Sequence, residues 1–296
     1  MNTRESEIDV VMPTWNSNKP YFEQVIKLIK EHVPVHRFIV VDRFSRDGTL
    51  SVIKKYFPDA MIIQTKVNLA VARKIGILYT DCEYIGFIDD DVFITKGWFP
   101  ILYNLMKNPQ IGMIYTLGSA LRRPGTKTIE IVKKRDKVGI YELLRRGIST
   151  IRGRTGFTMV RRSLVVDWDP PKELSCLEDY HLTQHVLNKG ALVVQVNVPL
   201  AIHVWGDINA PFSKKFRKGA WTGAGLRVAK AMNLVEVMLY SLARMIQILL
   251  PGNIEQIRYA GFKNPIEYML AQLGLVIGYL SPYKYLVFER EKRVPP

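Results

Sequence analysis

Three consecutive carboxylates, Asp89, Asp90 and Asp91, interrupt an apolar stretch of this chain. The segment reads YIGFIDDDVFIT, so a short run typical of a β-strand ends in the three acids before apolar residues resume. Adjacent like charges repel each other, and a hard divalent cation with oxygen ligands would hold them together. Alternation along an extended chain places Asp89 and Asp91 on one side and Asp90 on the other. The spacing predicts an Asp-x-Asp metal clamp at the end of a strand, with a solvated acidic turn as the alternative.

The charge of the chain points to anionic partners. Lys and Arg outnumber Asp and Glu by 42 to 27, which gives a net charge of +15 over 296 residues. Such an excess favours phosphates, nucleic acid or an anionic membrane surface, and charge alone does not choose among them. The two cysteines, Cys82 and Cys176, are far apart, so the sequence suggests neither a disulfide framework nor a zinc site. The first 20 residues lack a signal-type apolar segment, so we expect the N-terminal part to stay where it is made.

Apolar runs of strand type alternate with helical patterns through the first half of the chain. We predict helices between strands at residues 8–12, 38–41, 61–63, 84–88 and 112–115. This alternation is typical of βαβ units and a parallel sheet. In an open parallel sheet, ligands bind outside the carboxyl ends of the strands. Asn16, Asp42 and the acidic cluster all follow predicted strands, so we expect them to converge on one crevice.

Four segments carry a family resemblance and occur in the order VVMPTWN, VVDRFSRDGT, NLAVARKIGI and FIDDD. They resemble the N-terminal half of the family 2 glycosyltransferases, which are inverting enzymes of the GT-A fold with nucleotide-sugar donors. The resemblance covers roughly residues 8–207. It implies an α/β fold of the GT-A type, Rossmann-like, with a mostly parallel sheet flanked by helices. On this basis residues 1–207 are predicted to form the catalytic domain.

The resemblance also implies which residues bind the donor. The nucleotide would be bound by residues at and after the strand ends, namely Pro13, Thr14, Asn16, Asp42, Arg73 and Asp90. Among them, Asp42 would accept hydrogen bonds from the base. Asp89 and Asp91 would hold Mn²⁺ or Mg²⁺ on the donor diphosphate. From the residues alone, Arg73 is equally well a solvated surface charge on a helix.

The second half of the chain supplies residues expected to act on the acceptor. Residues 156–162 resemble the family's small-residue strand beneath the sugar site. Glu178 and Asp179 open a helical pattern and resemble the family's Glu-Asp motif, which implies that Asp179 is the general base. The alternative is that the two acidic residues only stabilise the N-terminus of a helix through the helix dipole. His203 follows an apolar run where the family commonly completes its metal site with a histidine. A lone histidine beside apolar residues is more often packed or hydrogen-bonded.

These residue types meet the needs of an inverting reaction, which is a single in-line displacement at the anomeric carbon. A base on one face must take the acceptor proton while a metal neutralises the nucleotide diphosphate that leaves on the other. Further along the chain, Arg217 and Lys218 lie in a basic run with aromatic residues, where the family closes a loop and helix over the donor. They would contact phosphate, unless this run is a solvated basic face.

Two apolar stretches, residues 232–250 and 266–283, predict that residues 208–296 form an interface helix and membrane-embedded helices. In the first stretch, polar residues recur at spacings of three and four and form one stripe of a helix. In the second, Gly274 and Gly278 would permit close helix contact. Basic residues flank both outer ends, which predicts a transmembrane hairpin in the cell membrane with the catalytic domain on the cytoplasmic side. Amphipathic helices in the membrane plane and a buried helical subdomain are the alternatives.

The sequence therefore predicts a metal-dependent inverting glycosyltransferase of glycan biosynthesis that moves a hexose from a nucleotide sugar to a polyprenyl-phosphate-linked acceptor. GDP-mannose is the first donor expected, because the chain resembles membrane-bound polyprenyl-linked mannosyl and hexosyl transferases, and UDP-glucose is the second. A metal-dependent phosphoryl-transfer enzyme would be another use of the aspartates. The third hypothesis is a basic nucleic-acid binder, but no zinc pattern, aromatic RNP-like motif or helix-turn-helix signal supports it, so we expect no nucleic-acid partner.

Overall fold

Strands and helices alternate through the first half of the chain in the computed structural model, which describes residues 7–117, 128–204, 211–249, 264–282 and 284. The chain divides into two compact units. The first unit comprises Met1–Lys134, Ile151–Pro170 and His181–Val204. The second unit comprises Arg135–Thr150, Pro171–Tyr180 and Trp205–Pro296. The predicted domain boundary between residues 207 and 208 lies outside the described residues and stays a prediction.

The bounds of the elements follow the apolar patterns of the sequence closely. The described strands are β1 (Ile8–Thr14), β2 (Val35–Asp42), β3 (Met61–Gln64), β4 (Tyr84–Ile88), β5 (Val92–Ile94), β6 (Ile111–Thr116), β7 (Ile129–Ile131), β8 (Phe157–Arg161), β9 (Leu192–Val196) and β10 (Ala201–His203). The described α-helices are α1 (Phe22–His32), α2 (Thr49–Tyr56), α3 (Leu69–Leu78), α4 (Trp98–Met106), α5 (Ile140–Arg146), α6 (Glu178–Asn188), α7 (Phe212–Val228), α8 (Leu234–Leu249) and α9 (Pro265–Leu280).

The first unit is built on an eight-stranded sheet with the order β3-β2-β1-β4-β8-β6-β9-β7. Strand β1 pairs in parallel with β2 and β4, and β2 and β6 pair in parallel with β3 and β9. Strand β8 runs antiparallel to β4 and β6, and β7 runs antiparallel to β9. The predicted α/β, Rossmann-like fold with a mostly parallel sheet is thus confirmed. Because β1, β2 and β4 run in the same direction, their carboxyl ends meet at one edge.

Both faces of this sheet are covered, which explains why its central strands read as continuous apolar runs. Every residue of β4 is buried. Helix α1 packs Phe22 and Ile26 into the core beside the sheet. Helix α3 approaches β1 so closely that a Cβ on Gly76 would lie 2.3 Å from a methyl carbon of Val11. Burial of each large aliphatic side chain contributes about 1.5–3 kcal/mol, and this core makes the strand ends a rigid frame for the loops.

A second, two-stranded sheet of the first unit was not predicted from the sequence. Strand β5 follows the acidic cluster and pairs antiparallel with β10, so that Val92 lies opposite His203. The backbone N–H of Val204 continues the ladder by donating to the carbonyl of Asp91 at 2.8 Å. This short ladder fixes the position of His203 relative to Asp91.

In the second unit, helices α7 and α9 approach each other through glycines. A Cβ on Gly219 or Gly223 of α7 would lie 1.9 or 1.8 Å from a backbone carbonyl of α9, far inside van der Waals contact. In the other direction, a Cβ on Gly274 or Gly278 would lie 2.3 or 1.9 Å from a carbonyl of α7. The close helix contact predicted for Gly274 and Gly278 is therefore present, and its partner is a matching pair of glycines on α7.

Helix α8 turns its polar stripe toward the rest of the second unit. Glu236 pairs with Arg135, which also donates to the carbonyl of Ala231 at 2.7 Å. Further along the helix, Arg244 donates to Gln247 at 3.0 Å, and a Cβ on Gly147 would lie 2.7 Å from the Arg244 guanidinium. The predicted polar stripe is thus a packing surface of this unit.

The predicted transmembrane spans are not found in the described part of the chain. Among the described residues, no helix has both the length and the apolar character needed to cross a bilayer. Helices α8 and α9 have 16 residues each. Such helices are about 24 Å long, against a hydrocarbon core of about 30 Å. Residues 250 and 283, the predicted ends of the apolar stretches, lie outside the described residues.

Candidate active site

Asp89 follows β4 directly and is held from three sides. Its backbone N–H donates to the carbonyl of Gly156 at 2.9 Å, and its Oδ1 accepts a hydrogen bond from Arg73 Nη2 at 2.7 Å. Arg73 lies on α3 and has 0% exposure, so it is no solvated surface charge. The third side is Gly156, where a Cβ would lie only 2.5 Å from Asp89 Oδ2. The carboxylate therefore has one orientation, with its second oxygen packed against bare backbone.

Asp91 lies beside His203, as the pairing of β5 with β10 requires. The distance from His203 Nε2 to Asp91 Oδ1 is 3.4 Å. Burial, followed by the charges of Asp89 and Asp90, raises the pKa of Asp91 to about 7. A divalent cation would remove this penalty, because it supplies the positive charge that the buried carboxylates lack. Two carboxylates and an imidazole form a ligand set that fits Mn²⁺ or Mg²⁺.

The middle carboxylate, Asp90, contacts a different part of the site. It accepts a hydrogen bond from the hydroxyl of Ser17, in the loop after β1. The backbone N–H of Ser17 in turn donates to Thr49 Oγ1 at 2.8 Å. Asp90 thereby connects the acidic cluster to the loops after β1 and β2, as expected from its place on the other side of the chain.

The loops after β1 and β2 are connected to each other and contain unusual backbone conformations. Asn16 and Phe44 both have positive φ angles, of 48° and 53°, which are uncommon away from glycine and frequently mark functional sites. Asn16 N–H donates to Ser45 Oγ at 2.8 Å, and Asn16 Oδ1 accepts from the N–H of Arg46 at 3.0 Å. In the same two loops, the guanidinium of Arg43 lies 5.0 Å from the centre of the Trp15 ring.

Asp42 is buried and organises the loop after β2. Its carboxylate accepts hydrogen bonds from Thr14 Oγ1 at 2.9 Å, from the N–H of Ser45 at 2.9 Å and from Gln64 Nε2 at 3.0 Å. Pro13 pairs with Val41 in the ladder just before this network. The structure thus gives Asp42 donors from its own chain, and its contact with a base stays a prediction.

Asp47 and Gly48 form the turn that leads into α2. Gly48 has a φ of 88°, which glycine adopts without strain. Burial alone would raise the pKa of Asp47, but hydrogen bonds from the hydroxyl of Thr49 and the backbone N–H groups of Asn18 and Thr49 lower it overall. Asp47 is therefore a structural residue that holds the end of the loop as a fixed carboxylate.

The remaining four predicted site residues belong to the second unit. Glu178 and Asp179 begin α6 and are nearly buried, with 7% and 5% exposure. They follow Leu177, whose φ of 64° is a strained value for a branched side chain. Asp179 Oδ1 accepts the N–H of Tyr180 at 2.8 Å.

Arg217 and Lys218 lie on α7, where Arg217 is half-buried and Lys218 is exposed. The carbonyl of Lys218 accepts a hydrogen bond from Thr222 Oγ1 at 2.9 Å. The roles proposed for these two residues and for Glu178 and Asp179 stay predictions.

Three contributors to the site were not identified from the sequence. Ser17 holds Asp90, Gln64 donates to Asp42, and the absent side chain of Gly156 makes room for Asp89. Only Gly156 had a sequence signal, because it opens the small-residue strand. Serine and glutamine are too common in loops and at strand ends to be singled out without the fold.

Comparison with known proteins identifies the family. The sequence profile of Glycosyl transferase family 2 matches residues 9–166, which is more than half of the chain. The chain is 28% identical over 115 residues to the poly(ribitol-phosphate) beta-N-acetylglucosaminyltransferase TarP of Staphylococcus aureus (strain N315), covering 36% of this chain and 35% of TarP. It is 30% identical over 104 residues to TarS of Staphylococcus aureus (strain Mu50 / ATCC 700699), covering 30% of this chain and 17% of TarS. The chain thus matches about a third or less of either relative.

Solved structures agree on the fold. A mannosyltransferase, PcManGT, from Pyrobaculum calidifontis in complex with GDP-Man and Mn²⁺ has a TM-score of 0.59 at 15% identity, covering 93% of this chain and 86% of that one. Glucosyl-3-phosphoglycerate synthase from Mycobacterium tuberculosis, in complex with Mg²⁺ and uridine-diphosphate, has a TM-score of 0.53 at 19% identity, covering 77% and 81%. The profile match over more than half of the chain shows that the chain belongs to glycosyl transferase family 2, and the solved structures agree with it on the fold.

Proposed function

We propose that this protein transfers a hexose, first of all mannose from GDP-mannose, with inversion to a polyprenyl-phosphate-linked acceptor, and that it uses Mn²⁺ or Mg²⁺. One observation carries the metal dependence in this proposal: the β5–β10 ladder holds His203 Nε2 3.4 Å from Asp91 Oδ1, and the charge of Asp89 acts on Asp91. These three side chains would hold the metal. When bound, it would neutralise the diphosphate of the leaving nucleotide.

The loops after β1 and β2 would bind the nucleoside. Hydrogen bonds between Asn16 and the segment Ser45–Arg46 already fix both loops, so little conformational entropy is lost when the donor binds. Asp42 supports the same loops from beneath, through Thr14 and the N–H of Ser45. The indole of Trp15 with the guanidinium of Arg43 offers a planar, cationic surface for a base and its phosphates.

Asp179 is our candidate for the general base, with Glu178 beside it in the first turn of α6. A base is needed only if the acceptor offers a hydroxyl group, whose proton must leave during the displacement. A lipid phosphate is already ionised and needs no base. Arg217 and Lys218 are candidates for contacts with donor phosphate, since both side chains are basic.

A second donor class has support of its own. The relatives matched in sequence are N-acetylglucosaminyltransferases of poly(ribitol-phosphate), and one structural neighbour holds uridine-diphosphate. A UDP-linked sugar and an acceptor rich in phosphate are therefore the alternative for this chain. Its charge of +15 suits an anionic acceptor of either kind.

Nucleotide release separates these donors. The purified protein is incubated with Mn²⁺ and GDP-mannose, UDP-glucose or UDP-N-acetylglucosamine, with and without a polyprenyl phosphate. We expect GDP release from GDP-mannose that depends on Mn²⁺ and increases with the lipid. Asp91→Ala should abolish it, whereas Asp59→Ala, at an exposed carboxylate in the turn before β3, should not. If UDP is released from a UDP-sugar and no GDP is released from GDP-mannose, the UDP-sugar replaces GDP-mannose as the proposed donor. Nucleotide release that persists in Asp91→Ala would refute the metal site.

We further propose that the protein works at the cytoplasmic side of the cell membrane, lying on the bilayer surface through one face of α8. This face has five exposed aliphatic side chains and no charge: Val235, Met238, Leu239, Leu242 and Ile246. Their spacing of three and four residues makes a continuous stripe. Soluble surfaces rarely expose a stripe of this kind, and an amphipathic helix in the membrane plane buries one.

Charge favours a bilayer as the occupant of this face. Every exposed charged side chain between residues 211 and 249 is cationic, namely Lys214, Lys218, Arg227 and Lys230. Basic residues near an anionic lipid surface contribute about 1 kcal/mol each. A second copy of this basic surface would be repelled instead.

Vesicle flotation tests the membrane proposal. We expect the protein to bind vesicles of phosphatidylcholine with phosphatidylserine, and to bind vesicles of phosphatidylcholine alone more weakly. Leu242→Glu should bind at least about tenfold more weakly than the parent protein, since a charged group would have to enter the membrane interface. Ile101→Glu, at an exposed apolar position of α4, is the matched control and should bind normally. Equal binding of Leu242→Glu, or dimers in sedimentation that this change dissociates, would overturn the proposal.

A further inference from the structure

A second group of metal-binding residue types lies at the opposite end of the main sheet from the acidic cluster. Asp9 is near the start of β1, His36 is near the start of β2, and Asp81 and Cys82 precede β4. Strands β2, β1 and β4 are neighbours in the sheet and run in the same direction. Their amino-terminal ends therefore bring these four side chains together, all within the first unit.

The four side chains converge on one point. Each offers a ligand atom, and these atoms all lie within 4.8 Å of one another. His36 Nε2 lies 3.4 Å from Asp81 Oδ1. Two ligands of a tetrahedral ion with bonds of about 2.0–2.1 Å are separated by about 3.3 Å, so this pair already has the required spacing. Arg37 contacts the other oxygen, Asp81 Oδ2, at 2.5 Å and leaves Oδ1 directed to the histidine.

Asp9 gives the independent sign of a missing ligand. It is completely buried, and its Oδ2 accepts the N–H groups of Asp81 and Cys82 at 2.6 and 2.9 Å. Its Oδ1 is also buried and accepts no hydrogen bond from an N–H or O–H group, while the Cys82 thiol contacts the same carboxylate. A buried carboxylate oxygen without a partner is costly, and a cation would satisfy it. The two backbone hydrogen bonds also fix the loop that carries Asp81 and Cys82.

The surrounding groups fit a metal-binding histidine. Glu7 Oε2 lies 3.7 Å from His36 Nδ1, on the side of the ring away from Asp81. A carboxylate behind a metal-binding histidine sets its tautomer and orientation, which leaves Nε2 to bind the metal. Thiolate, imidazole and carboxylate together form a ligand set that suits Zn²⁺ better than Mg²⁺ or Mn²⁺.

We propose that Asp9, His36, Asp81 and Cys82 bind one Zn²⁺ ion, as a structural site that joins the starts of β1 and β2 to the loop before β4. The cysteine spacing in the sequence gave no indication of this site, because its ligands come from three separate segments. Zn²⁺ would stabilise the folded protein, since the unfolded chain does not hold these ligands together. The site is separate from the donor site, so it stands or fails independently of the proposed function.

Cobalt substitution tests the proposal, with Asp91→Ala as the background so that the donor site does not bind the probe. The full chain, freed of metal with a chelator, is titrated with Co²⁺ and then with Zn²⁺. We expect one equivalent of Co²⁺ to give visible bands of tetrahedral geometry and a thiolate-to-cobalt charge-transfer band, both removed by Zn²⁺. Zn²⁺ should also raise the unfolding temperature.

Two further variants identify the ligands. In the same background, Cys82→Ser should lose the charge-transfer band, and His36→Gln should bind Co²⁺ at least about tenfold more weakly, the least that even an outer-shell partner contributes. Cys176→Ser, at the other cysteine, is the matched control and should keep the full spectrum. Absence of the charge-transfer band in the parent, or its persistence in Cys82→Ser, would overturn the proposal.

Discussion

Replacing Gly156 with alanine should weaken metal binding without removing any ligand. A Cβ at this position would lie 2.5 Å from Asp89 Oδ2 and 3.0 Å from its Cγ. A carbon and an oxygen without a bond need about 3.3 Å, so the oxygen must move by about 0.8 Å. Metal sites tolerate changes of only about 0.2 Å in ligand distance. Arg73 and the backbone hydrogen bond restrain Asp89, which prevents a simple rotation away from the added methyl group.

We expect Gly156→Ala to lower Mn²⁺ affinity about 10- to 100-fold, the range seen when an outer-shell partner is lost. Overpacking should also lower the free energy of unfolding by about 1–3 kcal/mol. Mn²⁺ titration followed by electron paramagnetic resonance measures the affinity, and thermal unfolding measures the stability. Gly139→Ala is the control, because a Cβ there has no neighbour within 4 Å. Unchanged Mn²⁺ affinity in Gly156→Ala would refute the assignment of Asp89 as a ligand.

Three further predictions address other parts of the molecule. Asp179→Asn should keep donor binding but slow transfer to a hydroxyl acceptor by about 10²- to 10⁴-fold, as measured by steady-state kinetics. A decrease in the transfer rate of less than about tenfold would indicate that this residue only orients an ionised acceptor. The pKa of Asp91 is raised to about 7 from 3.8, so the metal-free folded state keeps a proton that the unfolded chain loses, and this group's contribution to stability declines as pH rises from about 4 to 7. Because Mn²⁺ must displace this proton, it should bind about tenfold more weakly at pH 6 than at pH 8. An Mn²⁺ affinity that does not change with pH would contradict this prediction. Gly278→Leu should destabilise the second unit by about 3 kcal/mol or more in denaturant unfolding, since a Cβ at this position would lie 1.9 Å from the carbonyl oxygen of Ala220. Leu280→Ala, at an exposed position of the same helix, is the control and should change the free energy of unfolding little.

Elements with a strong apolar pattern could be predicted from the sequence almost to the residue. Strand β4 has the predicted ends, residues 84 and 88, because it is a continuous apolar run between clear breaks. The candidate ligand pair Asp89 and Asp91 could also be proposed from the sequence, since its signal is local. These features depend only on residues that are close together in the chain, so the sequence alone is enough to predict them.

Features that depend on long-range pairing were not visible in the same way. Strands β5 and β10 have three residues each, too few for a periodic signal, and only the fold sets their register. The place of His203 beside Asp91 therefore rested on family resemblance. The contact of Gly156 with Asp89 and the group around Asp9 likewise arise between segments far apart in the chain.

The apolar C-terminal stretches show why composition alone does not define a membrane span. Gly274 and Gly278 are apolar by count, yet their role is to let α9 approach α7. In α8, five apolar residues form one exposed face, while Glu236 and Arg244 pack inward. Average hydropathy does not distinguish residues that pack against a neighbouring helix from apolar residues that form an exposed face. Only the direction of each side chain in the fold distinguishes the two.

The most direct test of the donor site is calorimetry of nucleotide-sugar binding with and without Mn²⁺. We predict that the protein binds one equivalent of GDP-mannose, or of its UDP-sugar alternative, only when Mn²⁺ is present. Asp91→Ala should abolish this binding, while Asp90→Asn should weaken it less, because Asp90 accepts a hydrogen bond from Ser17 on the other side of the chain. Donor affinity that is the same in Asp91→Ala as in the parent protein would contradict the account.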